Sequence, residues 1–205
     1  MKRLASRTSV GLASLLLAAA CATSETPRPL ERELRADGGF TLHERVRVSP
    51  RVQTDFEHGV ELLGAGRHED GIALLSRVSE AAPNLVAARI NLGIAHARIG
   101  ELDQAEAELG RALALAPGHP VAENELAIVY RRKGRFSEAR DHYESALAAY
   151  PAFHPARKNL AILCDVYLAD PDCALEHYDQ YLEAVPEDTK AAMWMNDLRA
   201  RHGRE

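Results

Sequence analysis

Three cysteines, nine histidines and thirty carboxylates are the side chains with which this 205-residue chain would have to do covalent, metal or acid–base chemistry. Their spacing argues against most of it. Cys164 and Cys173 have no C-x-x-C partner, the nearest histidine is His177, and no two histidines stand four apart, so a zinc site finds no ligand set. Two thiols left as an even pair form a candidate disulfide in an oxidising compartment, and the alternative is two buried free thiols. No G-x-x-x-x-G-K-[ST], G-x-S-x-G, H-E-x-x-H or G-x-G-x-x-G is present. The carboxylates fall on what read as helix faces, where solvation accounts for them without acid–base work. The expectation is a protein that is not an enzyme, uses no cofactor and takes no small-molecule substrate.

The elements that would position these residues are helical. Apolar residues make up 46% and charged residues 27%, which suits a folded chain, while aromatics reach only 5% and Ala and Leu dominate. That mixture favours close-packed helices over a β-sandwich or barrel. The formal charge of -5 excludes a general nucleic-acid binder.

The first residues read as an address. Lys2, Arg3 and Arg7 precede an uncharged apolar stretch, Val10 to Ala20, that is too short to span a bilayer, which needs about 20 residues. Ala18-Ala19-Ala20 then lead directly to Cys21. This resembles a bacterial lipoprotein signal, although Ala18 stands where the usual pattern has Leu and Leu17 lies one place further back. The resemblance implies that residues 1–20 are removed and Cys21 is lipidated. Ala22 follows instead of an acid, which by the same resemblance implies a periplasm-facing outer-membrane lipoprotein. Losing Lys2, Arg3 and Arg7 leaves a more acidic body, so the acyl chains alone would hold it to the membrane. Residues 21–49 then read as a lipidated start and flexible linker, rich in Thr, Ser, Pro, Gly and charge. Phe40, Leu42, Val46 and Val48 alternate loosely, and Phe40–Val48 is either extended against the body or plain linker; the linker reading is preferred.

From residue 50 the chain repeats every 34 residues. Pro83, Pro117 and Pro151 keep that spacing, as do Gly66, Gly100 and Gly134. Gly59, Gly93, Ala127 and Ala161 form a column of small residues; Gly71, Ala105 and Ala139 form another; Leu75, Leu109 and Tyr143 form a bulky one. This resembles the tetratricopeptide repeat family, whose units are helix-turn-helix pairs. With Val52 as position 1, the repeats are 52–85, 86–119, 120–153 and 154–187, an array over 50–186, with a capping helix at 188–202. Small residues at positions 8 and 20 let paired helices approach, Gly at 15 allows the turn, and Pro at 32 ends the second helix. His58 stands where Leu92, Leu126 and Leu160 stand later, the atypical end expected of a terminal repeat. The fourth repeat has one extra residue, with Asp170 as a helix N-cap before Pro171. Ala191, Trp194, Met195 and Leu198 share one face of the last helix. The fold class is thus all-α, an α-α superhelix of about four repeats plus a cap, preceded by a signal peptide and linker.

The resemblance implies a concave groove lined by the first helix of each repeat. Position 9 reads Val60, Ile94, Ile128 and Ile162, an apolar ridge; position 5 gives Phe56, Ile90, Asn124 and Lys158; position 6 includes Asn91 and Asn159; positions 12 and 13 add Arg98 and Arg131. These are the candidate peptide-binding residues. Family members that clamp a C-terminal carboxylate carry Asn at position 9, so an extended or helical peptide on apolar pockets fits better here. The alternative is that the ridge packs on Phe40–Val48 or completes the core. His96, where the family often has Tyr, reads as a packing residue. The resemblance implies an adaptor or assembly factor for an envelope complex of pilus-secretin, motility or TonB/Tol type, with a protein or peptide partner and contact to membrane through the lipid alone. The second reading is a regulator of peptidoglycan enzymes, possibly touching glycan directly, for which Phe56 is the groove's one aromatic.

Overall fold

A computed structural model describes residues 31–34, 40–43 and 46–203, with side chains from residue 46 onward. The leader 1–20 and Cys21 lie outside the described residues. Nine helices follow one another among the described residues: α1 (Pro50–Gly64), α2 (His68–Ala81), α3 (Val86–Arg98), α4 (Leu102–Leu115), α5 (Pro120–Arg132), α6 (Phe136–Ala149), α7 (His154–Val166), α8 (Pro171–Ala184) and α9 (Thr189–Arg201). They pack as antiparallel pairs, α1 on α2 through α7 on α8, stacked in sequence and closed by α9 on α8. This is the expected tetratricopeptide-type superhelix. Upstream, β1 (Glu31–Leu34) pairs antiparallel with β2 (Phe40–His43), Glu31 opposite His43 and Leu34 opposite Phe40. Part of the segment read as unstructured linker is therefore a hairpin. Its two halves are short and of mixed polarity, so composition outweighed the pairing signal.

Each turn has a physical cause. Gly66, Gly100 and Gly134 adopt φ of 78°, 89° and 75°, the left-handed region that glycine enters without steric cost. The next residue's N–H then reaches back five residues, Arg67 to the Leu62 carbonyl, Glu101 to His96 and Arg135 to Tyr130, each at 2.9 Å. The fourth turn departs from this. Ala169 takes φ 51°, and the Asp170 N–H reaches back six residues, to the Cys164 carbonyl at 2.9 Å. This is the inserted residue made visible as a wider loop. The Asp170 side chain caps α8 by accepting from the Cys173 N–H at 3.1 Å, Arg140 pairs with it at 3.5 Å, and Cys164 and Cys173 are joined by a disulfide with Cα atoms 5.9 Å apart. A left-handed Ala costs about 1 kcal/mol, and a covalent bridge, a cap and an ion pair hold this turn where glycine serves elsewhere.

The core is a set of columns. Position 3 is Ala88, Ala122, Ala156 and Ala191; position 7 is Leu92, Leu126, Leu160 and Met195; position 10 is Ala95, Val129, Leu163 and Leu198; all are buried. In the first repeat the same columns read Thr54, His58 and Glu61, all exposed. With no preceding repeat to cover them, these positions are polar, and the array starts there. α9 supplies the next entry in every column, so it is the first helix of a fifth pair used as a lid.

Within each pair, position 8 meets position 24. A Cβ on Gly59 would lie 2.8 Å from Leu75 Cγ, and one on Gly93 would lie 2.5 Å from Leu109 Cγ. Repeats three and four carry Ala127 with Tyr143 and Ala161 with Tyr178, all buried in one cluster. Glycine goes with branched Leu and alanine goes with planar Tyr, so the volume of the pair is shared between its two members. Gly71 is equally crowded, with Leu63 Cδ2 at 2.4 Å and the Gly59 carbonyl oxygen at 3.1 Å from its would-be Cβ.

Gly93→Ala should therefore destabilise the protein by about 1 to 3 kcal/mol through overpacking. Gly110→Ala, in the open interior of α4 with nothing within 4 Å, should stabilise it by about 0.5 to 1 kcal/mol. Urea-unfolding midpoints moving in opposite directions for the two variants check the packing rule.

Candidate peptide-binding groove

The odd-numbered helices α1, α3, α5 and α7 touch one another in series, and the even-numbered helices make no comparable contact. In a curved stack the inner layer is the compressed one, so the odd helices line the concave side. Along it, Val60 is 37% exposed, and Ile94, Ile128 and Ile162 are half-buried. Their bases pack on the core, Ile94 beside Val86, Ile90 and Ala122, while their tips reach the surface. Phe56 is half-buried against Leu63, Leu75 and Leu92. Asn91 is half-buried with its amide nitrogen donating to the Ala87 carbonyl at 2.8 Å, so its oxygen is the end turned to other uses. Arg98 is exposed at the end of α3. Arg131 is half-buried with its guanidinium over the Tyr167 ring, 5.6 Å from the centroid.

Four of the expected groove residues have other work, wholly or in part. Ile90 is 5% exposed and belongs to the core. Asn124 is 3% exposed; its amide nitrogen donates to Glu125 Oε1 at 3.0 Å and its oxygen accepts from Asn159 Nδ2 at 2.9 Å, a polar tie between α5 and α7. Asn159 thereby spends one donor on structure. Lys158 donates to Asp188 Oδ2 at 3.2 Å and lies 5.2 Å from the Tyr181 ring centroid. Position 5 lies deeper between neighbouring first helices than a rule of even spacing allows, so a short side chain there is buried and a long one bends to the nearest acid.

Lys158 belongs to the joint that seats the lid helix. Asp188 caps α9 by accepting from the Ala191 N–H at 3.0 Å and also accepts from the Tyr181 hydroxyl at 2.9 Å. The capping N–H first, then the hydroxyl and the Lys158 ammonium, hold the Asp188 carboxyl down to about 2. Glu125, inside the groove, shifts the other way. Burial raises it, against the Asn124 hydrogen bond and the attraction of Arg98. At the start of α5, burial lowers the imidazole of His119, whose Nδ1 faces the Ala122 N–H.

Sequence reasoning missed Val166 and Tyr167, 64% and 42% exposed at the end of α7, and Met193, 69% exposed on α9. The signal was there: Met193 falls at position 5 of the incomplete fifth repeat. On the other side of the stack, α2, α3 and α4 surround a hollow holding Arg89, Glu108, Arg111 and His96. Arg89 pairs with Glu108 at 2.9 Å, Arg111 pairs with Glu108, and His96 meets Glu101 at 2.7 Å. Arg89 and Arg111 thus share Glu108, and His96 ties its helix to the start of α4 rather than filling core space. No group of three or more metal-ligating side chains occurs among the described residues, and no described helix is long and apolar enough to cross a membrane.

Residues 84–152 match the tetratricopeptide repeat family model. No curated protein matches the chain. Among solved structures, MamA residues 41-end from Desulfovibrio magneticus RS-1 superimposes with a TM-score of 0.67 at 20% identity, covering 77% of this chain and 88% of that one. Pseudomonas aeruginosa pilF gives 0.68 at 21%, covering 74% and 68%. The Thermobaculum terrenum O-GlcNAc transferase K341M mutant gives 0.61 at 23%, covering 67% of this chain and 27% of that one. At these identities the likeness establishes the fold.

Asp188→Asn keeps a competent N-cap and removes the charge. A carboxylate depressed in the folded state stabilises it above the unfolded value of about 4, and that contribution is lost as pH falls towards 2. The variant should be less stable than the parent at pH near 6, with the gap closing between pH about 4 and about 2. Urea midpoints along that range check it; a gap independent of pH contradicts it.

Proposed function

We propose that this tetratricopeptide-repeat chain is an adaptor or assembly factor moored to the periplasmic face of a bacterial outer membrane through Cys21, where it holds a protein partner of an envelope machine. The fold is a scaffold for protein–protein contact. The observation that carries the finer reading is the ridge Val60, Ile94, Ile128 and Ile162, which runs across four successive odd helices with its tips open. A core residue of such an array is covered to a few per cent, as Leu92, Leu126 and Leu160 are. Apolar tips left at the surface of the concave layer make a strip onto which an extended or helical segment can bury side chains. The Cys164–Cys173 bridge suits an oxidising compartment, and the basic start, short apolar stretch and Cys21 suit export with lipidation.

Ile94→Glu combined with Ile128→Glu places two charges on the strip at half-buried positions outside the fully buried columns. Capture of the partner in a crosslinking pull-down from intact cells should fall at least tenfold, about 1.4 kcal/mol, with the helical circular-dichroism signal unchanged. Undiminished capture would move the binding surface elsewhere.

Cys21→Ser should release the protein from membranes into the soluble periplasmic fraction, because a body that is acidic overall is not held to anionic lipid by its net charge. A variant that still sediments with the outer membrane sinks the anchoring reading.

A further inference from the structure

The chain is acidic overall, yet one edge of the concave side carries arginines that no described carboxylate pairs with. Lys133, Arg135, Arg140, Arg199 and Arg201 sit in ion pairs, while Arg77, Arg157 and Lys190 share the rim's lack of a carboxylate partner among the described residues. Arg98 ends α3, and Arg131 and Arg132 end α5. The Arg132 guanidinium donates to the Ala97 carbonyl, which brings the two helix ends together, and Arg131 reaches across to Tyr167 beyond α7. Three repeats are thus joined into one rim, cationic over α3 and α5 and aromatic at Tyr167, with exposed Val166 beside it. Glu125 attracts Arg98 from within the groove without closing on it as an ion pair. Helix C-termini favour cations, Arg132 bonds the Ala97 carbonyl and Arg131 lies over Tyr167; none of this supplies a carboxylate, in a protein with a surplus of acids.

We propose that this rim, together with the neighbouring ridge of Ile94, Ile128 and Ile162, recognises an extended segment of a partner protein in which apolar residues alternate with acidic ones, the apolar side chains lying on the isoleucines and the carboxylates on Arg98, Arg131 and Arg132. The ridge is one helical turn before the rim on the same helices, so one segment crossing them meets both. A polyproline-type segment repeats its side chains every three residues and about 9 Å, so one apolar and one acidic residue per three sets each kind along its own edge of the segment. The acids are side chains along the segment, not a chain terminus, and the rim arginines stand at positions 12 and 13 with aliphatic residues at position 9. This inference rests on the groove reading above and adds the partner's chemistry to it.

The test uses the full chain and three labelled twelve-residue peptides, four repeats each of Leu-Pro-Glu, Leu-Pro-Gln or Leu-Pro-Lys, followed by fluorescence anisotropy. The acidic peptide should bind at least tenfold tighter than the other two at low salt, and the advantage should shrink as NaCl rises from about 50 to about 500 mM. Arg98→Gln, an exposed site, should weaken the acidic peptide about threefold and Arg98→Gln with Arg131→Gln about tenfold, with binding of the Gln peptide unchanged. Equal binding of all three peptides that is lost in the Ile94→Glu, Ile128→Glu variant overturns the acidic preference and leaves the groove reading standing. Binding untouched by that ridge variant counts against the groove itself. No binding of the acidic peptide at about 1 mM, or tighter binding of every peptide once residues 22–45 are deleted, overturns the proposal, the latter by giving the rim to the chain's own front segment.

Discussion

The contact between a small residue at position 8 and a bulky one at position 24 is the constraint on which the rest of this molecule depends. It brings two helices close enough that a single added methyl meets Leu Cγ at 2.5 to 2.8 Å. Close pairing makes each hairpin a thin slab, and slabs of that shape stack with their first helices inside. The compressed inner layer is the groove. Had position 8 been Leu throughout, the pair would splay, the odd helices would lose contact, and the ridge would not be a continuous strip. The pair's volume is conserved rather than either residue alone, as Ala127 with Tyr143 and Ala161 with Tyr178 show.

A stack of this kind has to be told where to stop, and the two ends do so differently. At the front, the core columns simply turn polar, with Thr54, His58 and Glu61 exposed where later repeats have Ala, Leu and Val. At the back, α9 continues the columns with Ala191, Met195 and Leu198 and has no partner helix of its own. A single helix laid on a solenoid end is held by little but one apolar stripe, so the Tyr181–Asp188–Lys158 joint matters there more than a comparable cluster in mid-array would. The fourth repeat, which carries this lid, is also the one with the disulfide and the widened turn. Covalent and polar ties gather where stacking from one side is weakest.

The columns were legible in the sequence because identical packing demands recur every 34 residues, and each demand excludes most residue types. Gly at the turn, Ala at position 3 and Pro after the second helix are positions where sterics leave few choices. The groove was legible only in part. Position 9 faces outward in every repeat, so Ile94, Ile128 and Ile162 behave alike, whereas position 5 sits at the seam between two first helices. There the outcome depends on side-chain length: Ile90 and Asn124 sink, and Lys158 reaches away to Asp188. Nothing in a periodic pattern encodes that seam, because depth is a property of two neighbouring repeats together. The hairpin β1–β2 was unreadable for a simpler reason: two four-residue strands carry too few alternating positions to rise above a charged, proline-rich background.

The charges of this protein are unevenly paired. On the convex side and at the turns, cations and anions meet each other, as in Arg89 with Glu108 and Lys133 with Asp103 and Glu106. Exposed pairs of this kind add about 0 to 1 kcal/mol each, and they leave little net field to attract a ligand. On the concave rim the pairing stops, although acids outnumber bases over the chain as a whole. The exposed Arg98 guanidinium costs nothing while water solvates it, and it becomes an attractive point once an incoming carboxylate displaces that water beside an apolar ridge. The ridge alone would bind apolar segments with little discrimination. In the proposed recognition, a cationic border a single turn away makes the same strip select on charge.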